Sequence, residues 1–163
     1  MKQYRKVTSS EIFMGKLAFG CDLLEGLTKV CMEKNITLGR ISAIGAVQSA
    51  RIGFYDQKIR EYKFILLDKP MEIAGLTGNI SLKDKKPFVH AHVALSDKTG
   101  KTYGGHLAPG TVVFACEFLI DAFGGPQFER KFDDETGLPL WKLEVENRRT
   151  TRNKDSVRLH CRG

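Results

Sequence analysis

The feature that most constrains the fold is one stretch, PFVHAHVALSDKTGKTYGGHL, residues 87–107, in which two alternating runs flank a turn. Side chains on a strand point alternately to opposite faces. Val89, Ala91, Val93 and Leu95 therefore share one face, and His90, His92, Ala94 and Ser96 share the other. The sequence DKTG predicts a three-residue loop, Lys98-Thr99-Gly100, with Gly100 left-handed. Asp97 then opposes Lys101, which sets Leu95 against Tyr103, Ala91 against Leu107 and His92 against His106. A slip of one residue would turn polar groups onto the apolar face, so pattern and turn agree on a single register.

That register gathers three of the chain's four histidines. Directly opposed residues have β-carbons about 5 Å apart, and diagonal ones about 7–8 Å. His90 is diagonal to His106 and two positions from His92, so three imidazoles can converge on one point of the face away from the core. Gly104 and Gly105 precede His106 and offer clearance, Gly104 on the histidine face itself. Neutral imidazoles suit zinc or another borderline divalent metal, and three protein ligands leave a fourth position for water or a ligand. No carboxylate completes the set: Glu117 falls on the same face but opposite Thr102, too far from His106 within one chain.

Carrying the register across Pro109-Gly110 pairs Ala108 with Thr111. Val112, Phe114, Cys116, Phe118 and Ile120 then join the apolar face, and Thr111, Val113, Ala115 and Leu119 the histidine face. A half-apolar second face predicts contact with another subunit.

Upstream, CDLLEGLTKVCMEKN places Leu23, Leu24, Leu27, Val30 and Cys31 on one side of a helix. Asp22 and Glu25 resemble a capping box, Gly26 is a local cost of about 1 kcal/mol, and Asn35 is a stop. Strands are predicted near residues 10–19, 40–56, 59–68, 71–82, 88–97, 101–107, 111–120 and 128–132, with Gly45 and Gly53 as bend points. One principal helix with about eight strands indicates an α+β domain with a mainly antiparallel sheet over residues 1–141. Residues 142–163 form a polar segment expected to be loosely ordered.

Composition narrows the function classes. No apolar run is long enough for a membrane helix, and the N-terminus lacks an apolar leader, which predicts a cytoplasmic protein without membrane contact. Cys21, Cys31, Cys116 and Cys161 show no metal-binding spacing and read as free, mostly buried thiols. The formal charge of +7 is concentrated: from Lys142 onward seven basic residues face three acidic ones. That tail reads first as a solvated appendage, and second as a contact for nucleic acid.

The helix DLLEGLTKVCMEKNI, then RISAIGAV, EIAGLTGNISL, PFVHAHVALSDKTGKTYGGHL and GTVVFACEFLI occur in an order that resembles the PPC (plants and prokaryotes conserved) domain family, in its prokaryotic single-domain form. The resemblance spans about residues 10–133, and its most specific parts are Val89-His90-Ala91-His92 and Gly104-Gly105-His106-Leu107. It implies a homotrimer and a metal, zinc, at His90, His92 and His106. It also implies a DNA-binding label, since plant members fuse the domain to an AT-hook. This chain contains no Arg-Gly-Arg-Pro core of that kind.

Three readings follow. The first is a trimeric metal-binding protein that takes a small anionic or polar ligand at the histidine site. The second is a zinc-dependent enzyme at the same site, with Glu117 of a neighbouring subunit as a conceivable base. The third is a DNA-associated protein acting through the basic tail.

Overall fold

The computed structural model describes residues 3–143; most of the expected tail, 144–163, and Cys161 with it, lie outside the described residues. Among the described residues nine strands and one helix occur in the order β1 (Thr8–Leu17), α1 (Leu23–Glu33), β2 (Gly39–Asp56), β3 (Glu61–Leu67), β4 (Met71–Lys83), β5 (Lys86–Ser96), β6 (Thr102–Leu107), β7 (Val112–Gly124), β8 (Arg130–Asp133) and β9 (Leu138–Trp141). The strand-to-strand ladders are all antiparallel. Seven strands form one sheet in the order β1-β7-β2-β4-β5-β6, with β3 also on β2, and β8-β9 form a separate hairpin.

Strand β2 organises the sheet. Its first half lies between β7 and β4, and its second half pairs with β3. Ile52 and Gly53 also pair with Leu107 and His106 of β6, so β2, β4, β5 and β6 close into a ring of pairings. The bend needs Gly45: its φ is 138°, and a β-carbon there would lie 2.1 Å from the Ala115 carbonyl oxygen. Inside the curl, Ile41, Val47, Ile52, Ile80, Val93, Leu95, Leu107 and Ile120 are buried together with Leu23, Leu27 and Cys31 of the helix.

Helix α1 begins where expected. Asp22 caps it, accepting from the Glu25 backbone N–H at 2.9 Å. Asn35 has φ 52°, and the Ile36 N–H reaches back to the Cys31 carbonyl, a left-handed stop that buries Ile36 against the helix end. Gly26 has a packing reason, since a β-carbon there would press on Leu17 at 3.1 Å. The three described cysteines behave as read: Cys31 and Cys116 are buried free thiols, pushed up by burial to about 12 and about 11, and Cys21 is free and half-buried.

One expected pairing fails. Strand β7 does not continue the hairpin from β6; it crosses to lie between β1 and β2. The Pro109-Gly110 segment is a loop pinned by the helix cap: the second carboxylate oxygen of Asp22 accepts from the N–H groups of Gly110 and Thr111, at 2.6 and 3.1 Å. A register shift against β2 at Phe114 then changes the phase of β7, and a second, at Gln48, falls on β2. Val113 and Thr111 are consequently buried in the chain's own core, and Phe114 is exposed. Beyond the bulge the expected alternation returns, with Cys116, Phe118 and Ile120 inside and Glu117 outside.

Candidate metal centre

The β5-β6 hairpin forms in the expected register: His92 opposes His106, Ala94 opposes Gly104 and Leu95 opposes Tyr103. Gly100 has φ 81°, and the Asp97 N–H donates to the Lys101 carbonyl to close the loop. Asp97 holds that loop with its side chain, accepting from Thr99 and from Lys69. Those hydrogen bonds, the Lys69 one foremost, keep its carboxyl well below the usual carboxylate range. Val89, Ala91, Val93, Leu95 and Leu107 all point into the core. The three imidazoles therefore stand together on the outer face.

Their ring centroids are 5.0 Å (His90–His106), 5.4 Å (His90–His92) and 5.6 Å (His92–His106) apart. Each offers one ligand nitrogen, and these nitrogens lie within 4.8 Å of one another, so the group could hold a metal ion. His92 is exposed, whereas His90 and His106 are half-buried. Burial pushes His90 down to about 4, helped by Arg130 and the other two histidines, and lowers His106 in the same direction. Both are thus neutral at physiological pH, the state a metal ligand requires. The Nδ1 of His106 is buried and has no hydrogen-bond partner among the described residues. A donor atom left bare in this way fits a site that binds something more than protein.

Two glycines precede His106. Gly104 lies on the histidine face, where a β-carbon would meet only the Val93 carbonyl, at 3.4 Å. At Gly105 a β-carbon would come within 2.8 Å of the Gly53 carbonyl, so this glycine admits the crossing of β2.

The surroundings hold three residues that the sequence pattern did not single out. Tyr62 of β3 packs on His106, with centroids 5.0 Å apart. Burial raises its phenol, Tyr55 adds to the shift and Arg130 opposes it. Asn79 of β4 pairs with His90. Its position follows from the β4-β5 turn, where Asp84 and Lys85 both have positive φ, so Lys83 opposes Lys86 across a two-residue hairpin. A reading of KDKKP as that tight turn would have placed Asn79 beside His90. The third is Arg130, which is buried; its Nη2 lies 2.8 Å from the Asn79 Oδ1 and 3.3 Å from the His90 Nδ1.

Arg130 arrives from the β8-β9 hairpin. The root of this hairpin is held to β4 by the Leu82 N–H on the Phe128 carbonyl and by Arg130 Nε on the Ser81 hydroxyl. Its tip reaches the β2-β3 turn, where Tyr55 and Arg60 donate to the carbonyls of Thr136, Asp134 and Glu135. Glu117 is elsewhere, on β7 between Lys16 of β1 and Ile44 of β2.

Comparison with known proteins bears on this arrangement. Residues 4–124 match the model of the Plants and Prokaryotes Conserved (PCC) domain. A metal-containing protein of Archaeoglobus fulgidus is 44% identical, with a TM-score of 0.83 over 86% of this chain and 99% of that one. A plant- and prokaryote-conserved protein of Pyrococcus horikoshii is 34% identical, with a TM-score of 0.81 over 86% of this chain and 97% of that one. A Ralstonia eutropha protein whose name proposes DNA binding is 27% identical, with a TM-score of 0.72 over 80% and 90%. Among curated proteins, a Synechococcus bifunctional protein GlmU is 30% identical over 131 residues. The match covers 79% of this chain but only 20% of that relative.

Proposed function

The chain belongs to the Plants and Prokaryotes Conserved domain family, and we propose that it is a homotrimeric, cytoplasmic metal-binding protein in which His90, His92 and His106 hold a zinc ion that receives a small ligand. The carrying observation is the convergence of three ligand nitrogens within 4.8 Å on one sheet face. The bare Nδ1 of His106 and the name of the Archaeoglobus relative support it. Zinc bound by three imidazoles keeps an open coordination position, and so can take an anion or polarise a water. Gly104, on the histidine face, leaves the approach to it clear, whereas Gly105 faces β2.

Metal analysis of protein purified without added zinc tests this. About one equivalent of zinc per chain is expected, falling to background in the His90, His92 and His106 triple alanine variant. A wild-type protein with only traces of metal, or a variant with as much as the wild type, ends the proposal.

The homotrimer rests on apolar surface that the single chain leaves open. Ile12, Met14 and Ile44 are each more than half exposed and share the outer face of β1 and β2 with Leu119 of β7. A patch of this kind is what a subunit contact covers. Light scattering should return three times the chain mass, and Ile44→Glu should lower it; a monomeric wild type rules the assembly out.

A second reading, DNA binding through the basic tail, draws on the name of the Ralstonia relative and on RRTTRNK at 148–154. Removing residues 142–163 should then weaken DNA binding and flatten its salt dependence. Binding indifferent to that deletion dismisses the tail.

A further inference from the structure

Arg130 is a buried cation without a counter-charge among the described residues. Only 8% of its surface is exposed, yet its hydrogen-bond partners are all neutral: the Ser81 hydroxyl, the Asn79 side-chain oxygen, the Pro139 carbonyl and the His90 ring nitrogen. Among the described residues no carboxylate lies within ion-pair distance of it. Phe88 and Trp141 flank the guanidinium, with centroids 5.2 and 5.6 Å away. Arginine stays charged in proteins, and a buried charge is stabilised chiefly by an opposite one. Among the described residues that opposite charge is missing, and beside Arg130 is a cleft of about 330 Å³ lined by Asn79, His90, Arg130, Leu140, Trp141 and Leu143.

We propose that Arg130 is the recognition residue for a small oxyanion, a carboxylate or phosphate group, bound in this cleft next to the three histidines. Of the five guanidinium N–H groups, those on Ser81, Pro139 and Asn79 are firmly engaged, which leaves one on Nη1 and the long contact to His90 to meet such an anion. The inference deepens the metal-centre reading and rests on it for the identity of the site, though not for the anion contact itself.

The contact with His90 adds a consequence. A guanidinium N–H can only donate, so the His90 Nδ1 facing it must be the unprotonated ring nitrogen, and Nε2 then carries the proton of the neutral ring. Metal ligation by His90 needs an unprotonated nitrogen free of Arg130. An oxyanion that takes up the Arg130 N–H releases His90 for the metal. Anion and metal should therefore strengthen each other's binding, by the same factor in both directions.

The test uses the full chain, metal-free and zinc-loaded, titrated by calorimetry with inorganic phosphate and with acetate as probes. The zinc-loaded wild type should bind at least one probe, and should bind it more tightly than the metal-free form. Arg130→Gln should weaken that binding about tenfold or more, with Arg130→Lys intermediate. Should Arg130→Gln fold poorly, Asn79→Asp supplies the same answer: it places a carboxylate against the guanidinium, and should cost as much probe affinity while zinc content stays at or above wild type. No binding of either probe to the wild type at about 10 mM overturns the proposal, as does wild-type affinity in both Arg130→Gln and Asn79→Asp. Failure of the metal reading looks different: no zinc is taken up, while phosphate or acetate still binds in a way that depends on Arg130.

Discussion

Two hairpins supply the histidine face, and they are held in place by opposite means. β5-β6 is part of the seven-stranded sheet, paired to β4 on one side and β2 on the other, with Val93, Leu95 and Leu107 sealed beneath it. Among the described residues β8-β9 forms ladder pairs only with itself. It is tied down by Phe128, by one parallel bridge between Leu82 and Glu129, and by the polar grip of Arg130. The first hairpin cannot move without opening the core. The second can lift by breaking a few hydrogen bonds to β4 and to the β2-β3 turn. The lesson is a division of labour: rigid imidazoles on the packed sheet, and a cation on an element of lower local stability.

The comparison breaks most sharply at Gly105. Its β-carbon would meet backbone, the Gly53 carbonyl at 2.8 Å, so Gly105→Ala must push β2 away from β6. A loss of about 2–3 kcal/mol in urea denaturation is expected, with weaker metal uptake because His106 is the next residue. Gly104→Ala is the control, since its nearest neighbour, at 3.4 Å, is an ordinary contact. Equal losses at the two positions would show that β6 is not locked by the β2 crossing.

A smaller effect is expected at the second hairpin. Arg130→Met keeps an apolar stem between Phe88 and Trp141 but gives up the bonds to Ser81, Asn79 and Pro139. Because the freed groups can meet water when the hairpin lifts, the global cost should be only about 1–2 kcal/mol. Hydrogen exchange should quicken across residues 130–141 and leave the β5-β6 amides protected. Quickening in both hairpins together would merge them into one unit.

The effect that vanishes at neutral pH is electrostatic, a loss of stability in acid. His90 titrates at about 4 in the folded chain, below the ordinary value of 6.5, chiefly through burial. Below 6.5 the unfolded chain takes the proton first, so this contribution to stability is complete above about pH 6.5 and is lost as pH falls towards about 4. Metal-free protein should show that slope in its unfolding midpoint, and His90→Asn should flatten it. An unchanged slope would place the acid sensitivity elsewhere.

Much of the site was readable before any coordinates. The faces of β5, the left-handed Gly100 and the pairing of His92 with His106 depend on alternation and on one short turn, and both are local. The capping role of Asp22 was equally plain, but its second task, holding Gly110 and Thr111, was not, because it joins residues far apart in sequence. The inside-outside pattern of β7 differs from simple alternation at Val113 and Phe114 because of the bulge against β2. Alternation cannot reveal a bulge, since a bulge is settled by the neighbouring strand.

By itself the amino-acid sequence determined which face of the hairpin is core and that three imidazoles would meet on the other, because a period of two and a three-residue loop leave one workable register. Only the tertiary structure decided what surrounds them. Arg130 is 24 residues beyond His106 and reaches His90 because Phe128, Ser81 and Asn79 hold its hairpin against β4. No local rule specifies such a return: closing a loop of that length is opposed by chain entropy alone, and the docking contacts at its end choose where it lands.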